Sequence, residues 1–600
     1  MKKRMIAMLL IMTMLVGTVT CLSGCGGAAE KYSGAETTEA ALEEPAAEMP
    51  AEITEEAFYD TEEAVTEEMA EAPAEAEGFR YEEAKMADSE AGEASKDMVA
   101  EGSYLEGCYE YPTTENQTNG EEYSKWEEKG YTSVKKEPLS TFSADVDTAS
   151  YSNLRRLLRE GYSPYELPEG AVRIEEMLNY FDYAYEGPKG SEPFGVTCEI
   201  GKCPWNEEAE LVMIGLKTQD LDYEEAPAAN LVFLLDVSGS MHNEDKLPLL
   251  QESFCMLAEN LSEKDRVSIV TYAGDDTIVL DGVSGDKTKK IQKAIMELEA
   301  GGGTHGSKGI KTAYELAKEH FIEGGNNRVI LATDGDLNIG LTSEEELEEL
   351  ITEKKESGIF LSVLGFGTGN MKDNKMETLA DKGNGNYAYI DSTREAKKVL
   401  VEEMTATLLT ICKDVKFQVE FNPAVVSEYR LIGYENRALA SEDFDDDTKD
   451  AGEIGAGHSV TVLYEVILRE PLSDMEKEDI EDLKYSEEYK EAYLDDAEFT
   501  EESVAASKEW FTLSIRYKKP AEEESNLLDY PIGYECYRQK NSDDFLFAAA
   551  VAEFGLLAAD SEDAGDASIK NVKKTLRGLD LEDEYKEEFY ELVKLAEKNA

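Results

Sequence analysis

Between Asn230 and about Thr410 the sequence alternates short apolar runs with amphipathic ones, and this alternation narrows the chain to a small set of folds. The runs LVFLL (from Leu231), RVSIVTY (from Arg266), RVILAT (from Arg328), IFLSVLGFG (from Ile359) and NYAYI (from Asn386) have strand length. The intervening LPLLQESFCMLAENL, KTKKIQKAIMELE, KGIKTAYELAKEHF, SEEELEELITEKKE and NKMETLADK each carry apolar residues along one stripe of a helix. Strands separated by helices cannot close as hairpins. They assemble as a mostly parallel sheet with helices on both faces, an α/β fold of the Rossmann-like kind.

In such a sheet, ligands bind beyond the carboxyl ends of strands. LVFLL ends there in Asp236, Ser238 and Ser240, one carboxylate and two hydroxyls on a tight turn that Gly239 permits. Two other junctions offer matching oxygens. GGGTHGSKG places Thr304 in a glycine-rich loop before a helix, and RVILATDGD places Asp334 directly after an apolar strand. Five oxygen donors without thiolate or imidazole suit one hard cation, Mg²⁺, with Mn²⁺ or Ca²⁺ as alternatives, better than zinc.

Asp236-x-Ser238-x-Ser240, Thr304 and Thr333-Asp334-Gly335 resemble the metal-ion-dependent adhesion site of von Willebrand factor type A domains. The resemblance implies that Ser238 and Ser240 bind the cation directly and that Thr304 does so in one conformation. It implies that Asp236 and Asp334 act largely through water, and that one coordination position stays open for a partner's Asp or Glu carboxylate. The segments STFSADVDTASYSNLRRLL and AVRIEEMLNYFDY before this domain, with DVKFQVEFNPAVVSEYRLIGYENRALA, DAGEIGAGHSVTVLYE and FAAAVAEFGLL after it, are similar to the bacterial YfbK-type proteins. Those are von Willebrand-type lipoproteins with amino- and carboxy-terminal regions of their own.

Six hundred residues exceed one hydrophobic core, so further domains are expected. Before the α/β region, helices are predicted over Thr148–Arg159 and Val172–Phe181 and strands at FGVTCEI and LVMIGLK. After Cys412, the runs DVKFQVEF, SEYRLIGY, HSVTVLYEVIL and WFTLSIRY read as strands without helices between them. The tail is helical at FLFAAAVAEFGLLAA and EEFYELVKLAEK. The expected architecture is a β-sandwich drawn from strands on both sides of the α/β unit, with helices at either end. The domain boundaries are residues 137–228, 229–410 and 411–600.

The amino terminus states where such a chain works. Lys2, Lys3 and Arg4 precede an apolar run from Met5 to Val19, too short for a membrane span and ordered like an export signal over residues 1–24. Leu22-Ser23-Gly24-Cys25 resembles the bacterial lipobox, which implies lipidation of Cys25 and attachment to the cell membrane facing the extracytoplasmic side. From residue 25 to 136 an Ala-, Glu-, Pro- and Thr-rich stretch lacks apolar periodicity and reads as a disordered acidic stalk. The net charge of -71 excludes nucleic acid as a partner, because phosphate attracts clustered Lys and Arg. Cys198 and Cys203, the one close cysteine pair, read as a hairpin bridge or as buried thiols.

Three further patterns point elsewhere. DVDT at Asp145 echoes aspartyl-phosphate chemistry, but PLSTFS is a poor buried strand and helix capping by Asp147 or Thr148 fits better. DFDDDTKD lacks the glycine and glutamate of a calcium loop and reads as a solvated turn. Among four histidines only His305 neighbours the site, so a binding protein is favoured over a metal-dependent hydrolase, with a structural envelope protein braced by its metal as the third reading. Turns at Gly301–Gly303 and Gly367–Gly369 have the freedom for loop shifts.

Overall fold

A computed structural model describes residues 120–600, apart from 145–146, 191, 222–225, 304–305, 336–343, 405–408, 450, 470–483, 486–508, 521, 523 and 582. Its elements are β1 (Thr132–Ser133), β2 (Leu139–Ser143), α1 (Ala149–Glu160), α2 (Ile174–Asn179), β3 (Phe194–Lys202) and β4 (Glu210–Thr218). The central part follows with β5 (Ala229–Asp236), α3 (Leu247–Glu259), β6 (Arg266–Tyr272), β7 (Asp276–Ser284), α4 (Thr288–Met296) and α5 (Gly306–Glu319). It continues through β8 (Asn326–Thr333), α6 (Glu344–Glu356), β9 (Ile359–Phe366), α7 (Asp373–Lys382), β10 (Tyr387–Ile390) and α8 (Thr393–Lys397). The last part holds β11 (Thr410–Phe421), β12 (Val426–Ile432), β13 (Gly452–Gly455), β14 (Ser459–Leu468), β15 (Phe511–Lys518) and β16 (Asn526–Ile532). Three helices close the chain, α9 (Asp543–Ala558), α10 (Ile569–Leu576) and α11 (Glu584–Asn599).

The central six-stranded sheet has the order β10-β9-β8-β5-β6-β7 and is parallel except for β7, an antiparallel edge strand absent from the sequence expectation. β5 lies inside it, paired in parallel with both β6 and β8. Leu231, Phe233 and Leu235 enter one core with Leu250, Phe254 and Ile291, while Val232 and Leu234 enter another with Ile310, Ala313 and Tyr314. Cover on both faces explains the unbroken apolar run, and each fully buried Leu, Val or Phe side chain contributes roughly 1.5–3 kcal/mol.

The two antiparallel sheets, β1-β12-β14-β4-β3 and β13-β11-β15-β16 with β2 beside β11, face each other across one core. Val212, Ile214, Val460, Val462, Phe417, Val419, Leu513 and Ile515 fill it. The other face of β4, at Leu211 and Met213, packs under the helical layer of α1, α2, α9, α10 and α11 with Phe181, Phe547 and Phe589. Because β4 pairs with β14 and β2 with β11, residues before and after the α/β domain form one frame.

Buried ion pairs tie the frame to the α/β domain. Arg155 of α1 reaches Asp391, Glu395 at 2.7 Å and Glu588 at 3.0 Å, and Arg173 reaches Asp373 at 2.7 Å. Arg437 spans Asp147 at 3.0 Å and Asp381 at 2.7 Å.

Three expectations need correction. Residues 120–136 belong to the folded part: Val134 is buried, β1 pairs with β12, and Glu122 N donates to Met371 O at 3.0 Å. Their aromatic and polar groups find partners that composition does not reveal. PLSTFS forms β2, in which Phe142 is buried against β11. Asp147 does not cap α1; its Oδ1 accepts from Tyr387 N at 2.8 Å, and Thr148, at the cap position, makes no side-chain cap bond. Of the two readings of Cys198 and Cys203, that of packed thiols holds: both are free, Cys203 buried and Cys198 half-buried, in different cores. The export signal, Cys25 and most of the stalk lie outside the described residues, among which no helix is long and apolar enough to cross a membrane.

Candidate metal centre

Three loops meet at the carboxyl end of the central sheet. The turn after β5 carries Asp236, Ser238 and Ser240. Its Ser238 N donates to Asp236 Oδ1 at 2.9 Å, which folds the carboxylate back over the turn. Asp236 Oδ2 accepts from Tyr272 OH of β6 and from Thr333 Oγ1 of β8, both at 3.2 Å. Those three bonds occupy Asp236 from behind and fix its orientation. The hydroxyls of Ser238 and Ser240 stand 2.9 Å apart in front of it.

Asp334 follows β8 and hydrogen-bonds the Ser240 side chain, closing the ring of oxygens. Gly335, at φ 92, turns the chain away at once; a Cβ there would lie 2.6 Å from Lys372 N. The glycine-rich loop is held beside the turn by Gly239 N to Gly302 O at 3.2 Å and Gly301 N to Val237 O at 2.8 Å. Thr304 and His305, which that loop carries, lie outside the described residues. The structure therefore brings Asp236, Ser238, Ser240 and Asp334 together.

One participant was not foreseen. Lys246 Nζ donates to Asp334 Oδ2 at 2.9 Å and to Asn370 Oδ1 at 3.0 Å. Its stem lies against Gly367, where a Cβ would come within 2.3 Å of Lys246 Cγ. The glycine at φ 74 thus makes room for the lysine. Nothing in the spacing of HNEDKL signals this role, and Tyr272 and Asn370 were likewise hidden in strand and loop sequence.

The electrostatics are uneven. Asp236 and Asp334 are fully buried, whereas Ser240 is exposed, so the carboxylates sit behind a hydroxyl that opens to solvent. Burial pushes the Asp236 carboxyl up to about 6, against the bonds from Ser238, with Asp334 adding repulsion. Burial also penalises Asp334, but the hydrogen bond and charge of Lys246 outweigh it and hold that carboxyl below its ordinary value. Two carboxylates and two hydroxyls are a hard-oxygen donor set with one ammonium for two negative charges, which fits a divalent ion of the Mg²⁺ type. Among the described residues no group of three or more His, Cys, Asp or Glu side chains is arranged for a metal.

A parallel sheet with this oxygen-lined mouth defines a von Willebrand factor type A domain, and the family model of that domain matches residues 230–403. A second model, described as von Willebrand factor, matches residues 117–213, and a third, described as the carboxy-terminal region of the uncharacterized protein YfbK, matches residues 406–598. The chain is 41% identical to protein YfbK of Escherichia coli K12 over 79% of its own length and 81% of that protein. It belongs to the YfbK family. It is also 28% identical over 192 residues to bovine inter-alpha-trypsin inhibitor heavy chain H3, covering 30% of this chain and 21% of that one. A solved von Willebrand factor type A structure from Catenulispora acidiphila is similar at 12% identity and TM-score 0.38, covering 69% of this chain and 91% of that one. Domains of this type are protein-interaction modules.

Proposed function

We propose that this chain is a binding protein tethered to the cell membrane by lipid on Cys25, displaying its type A domain on the extracytoplasmic side. Ser238 and Ser240 would hold a divalent cation of the Mg²⁺ type, with Asp236 and Asp334 behind them and Thr304 from the anchored loop. The bound ion would supply an electrophilic open position for an Asp or Glu of a protein partner.

The observation that carries this reading is the convergence of Asp236, Ser238, Ser240 and Asp334 on one solvent-facing point. The chain's own residues prepare that point. Tyr272 and Thr333 orient Asp236, Lys246 orients Asp334, and the exposed Ser240 leaves access for a side chain from outside.

The test is capture from envelope extracts on the immobilised chain, in Mg²⁺ and in EDTA. The reading predicts a partner retained only with Mg²⁺ and lost on Asp334→Ala. Retention that ignores both chelation and the substitution would refute it.

A further inference from the structure

The two sheets of the frame meet at one edge through a pair of cysteines. Cys198 lies in β3, the edge strand of the first sheet. Cys536 ends the single turn Tyr534–Cys536 that follows β16, the edge strand of the second. Backbone contacts hold the two segments together: Ile200 bridges Tyr537 in parallel, and Arg538 N donates to Ile200 O at 2.9 Å. Just downstream, Ser542 N and Asn541 Nδ2 donate to Glu199 Oε1 at 2.7 and 2.9 Å. The two thiols hydrogen-bond each other, and both pack, half-buried, on the sandwich core. Sulfurs in contact on backbone segments already held by hydrogen bonds need little movement to join. A metal is a poor alternative, since among the described residues no third His, Cys, Asp or Glu stands with the pair as a ligand.

We propose that Cys198 and Cys536 form a disulfide that staples the two sheets of the frame at this edge. The oxidant is a disulfide donor of the glutathione or dithiol-oxidase class. Cys536 is the attacking group, because the hydrogen bond from Cys198 holds its thiol below the ordinary range while the Cys198 thiol is pushed up. The Cys536 thiolate attacks the donor disulfide and expels one donor thiolate, leaving a mixed disulfide. Cys198 then gives its proton to solvent and attacks the Cys536 sulfur, and the second donor thiol departs. Two protein thiols are oxidised and one donor disulfide is reduced to two thiols. The loop this closes contains the whole type A domain, from β5 to β10, so the bond would fix the frame across the point where that domain is inserted.

The test uses the full chain, reduced and then equilibrated with oxidised glutathione, with digestion under non-reducing conditions. A Cys198–Cys536-linked peptide is expected, with a rise of about 5 °C in the thermal midpoint that dithiothreitol reverses. Cys198→Ser and Cys536→Ser should each abolish the linked peptide and the rise. Cys198→Ser should instead carry a glutathione adduct on Cys536, at least about tenfold more abundant than any adduct on Cys198 in Cys536→Ser. Absence of the linked peptide, with or without that adduct, or linkage of either cysteine to Cys203 instead, would overturn the proposal. A linked peptide without a rise in midpoint would overturn the stapling role.

Discussion

The mouth of the type A domain and the clamp that joins this domain to the frame both bury several charges, yet they balance them differently. In the clamp, Arg155 meets Asp391, Glu395 and Glu588, and donates to Tyr180 OH at 3.1 Å. Its guanidinium supplies a fork of donors to carboxylates from α8, its preceding turn and α11. In the mouth one ammonium stands against two carboxylates, and Lys246 pairs with Asp334 while also donating to Asn370. A buried carboxylate without a cation is costly, and Asp236 is offset by hydrogen bonds from Ser238, Tyr272 and Thr333. The clamp draws its cations from the chain itself, since Arg159 also reaches Asp391 and Glu588 and Arg394 reaches Glu588. The mouth sets one ammonium against two carboxylates, a deficit that the proposed cation would fill.

Breaking the clamp should have the largest effect. Arg155→Ala leaves buried carboxylates uncompensated and is expected to cost about 3–5 kcal/mol in urea unfolding, with the type A domain uncoupled from the frame. A loss under about 1 kcal/mol would mean the clamp is not a balanced unit. Lys246→Met sharpens the other side of the comparison. Without the competing ammonium on Asp334 the site becomes more negative, so affinity for Mn²⁺ should rise about tenfold, or about 1.4 kcal/mol, in a calorimetric titration. Weaker binding would show instead that Lys246 is needed to position Asp334.

The smallest effect concerns a buried carboxylate of the frame that has no such cation. Glu553 of α9 accepts from Ser568 N at 3.0 Å, and burial raises its carboxyl to about 7. The folded chain therefore holds this proton more tightly than the unfolded one. The associated stability is complete below the ordinary carboxylate range near 4.5 and is lost as pH rises through about 7. Glu553→Gln, which keeps an acceptor for Ser568, should gain about 1 kcal/mol over the native chain at pH 8 and little at pH 4.5, read from urea midpoints.

The sequence exposed what depends on periodicity and missed what depends on partners. The five apolar runs of the parallel sheet were legible because both faces of that sheet are covered, so hydrophobic pattern alone marks them. β7 escaped because its Thr277 and Ile278 are exposed at an edge, where no strong pattern is imposed. The burial of β2 was not legible because Phe142 is the one apolar side chain LSTFS gives to the sandwich core, and the segment gains its place by pairing with β11. Of the site, Asp236, Ser238, Ser240 and Asp334 could be found because strand ends fix their positions. Lys246 could not, since its approach to Asp334 depends on the left-handed turn at Gly367, far along the chain. The ordered stretch 120–136 was hidden for a similar reason: its contacts to Met371, Lys372 and β12 are long-range, and its composition matches the stalk before it.

The account rests most directly on cation uptake by the mouth. Titration calorimetry of the purified chain with Mn²⁺ and with Mg²⁺ should give one ion per chain, and Asp236→Asn, which removes charge but little volume, should weaken it about a hundredfold while leaving the urea midpoint nearly unchanged. No heat of binding from either ion, or equal affinity in the native and Asp236→Asn chains, would contradict it.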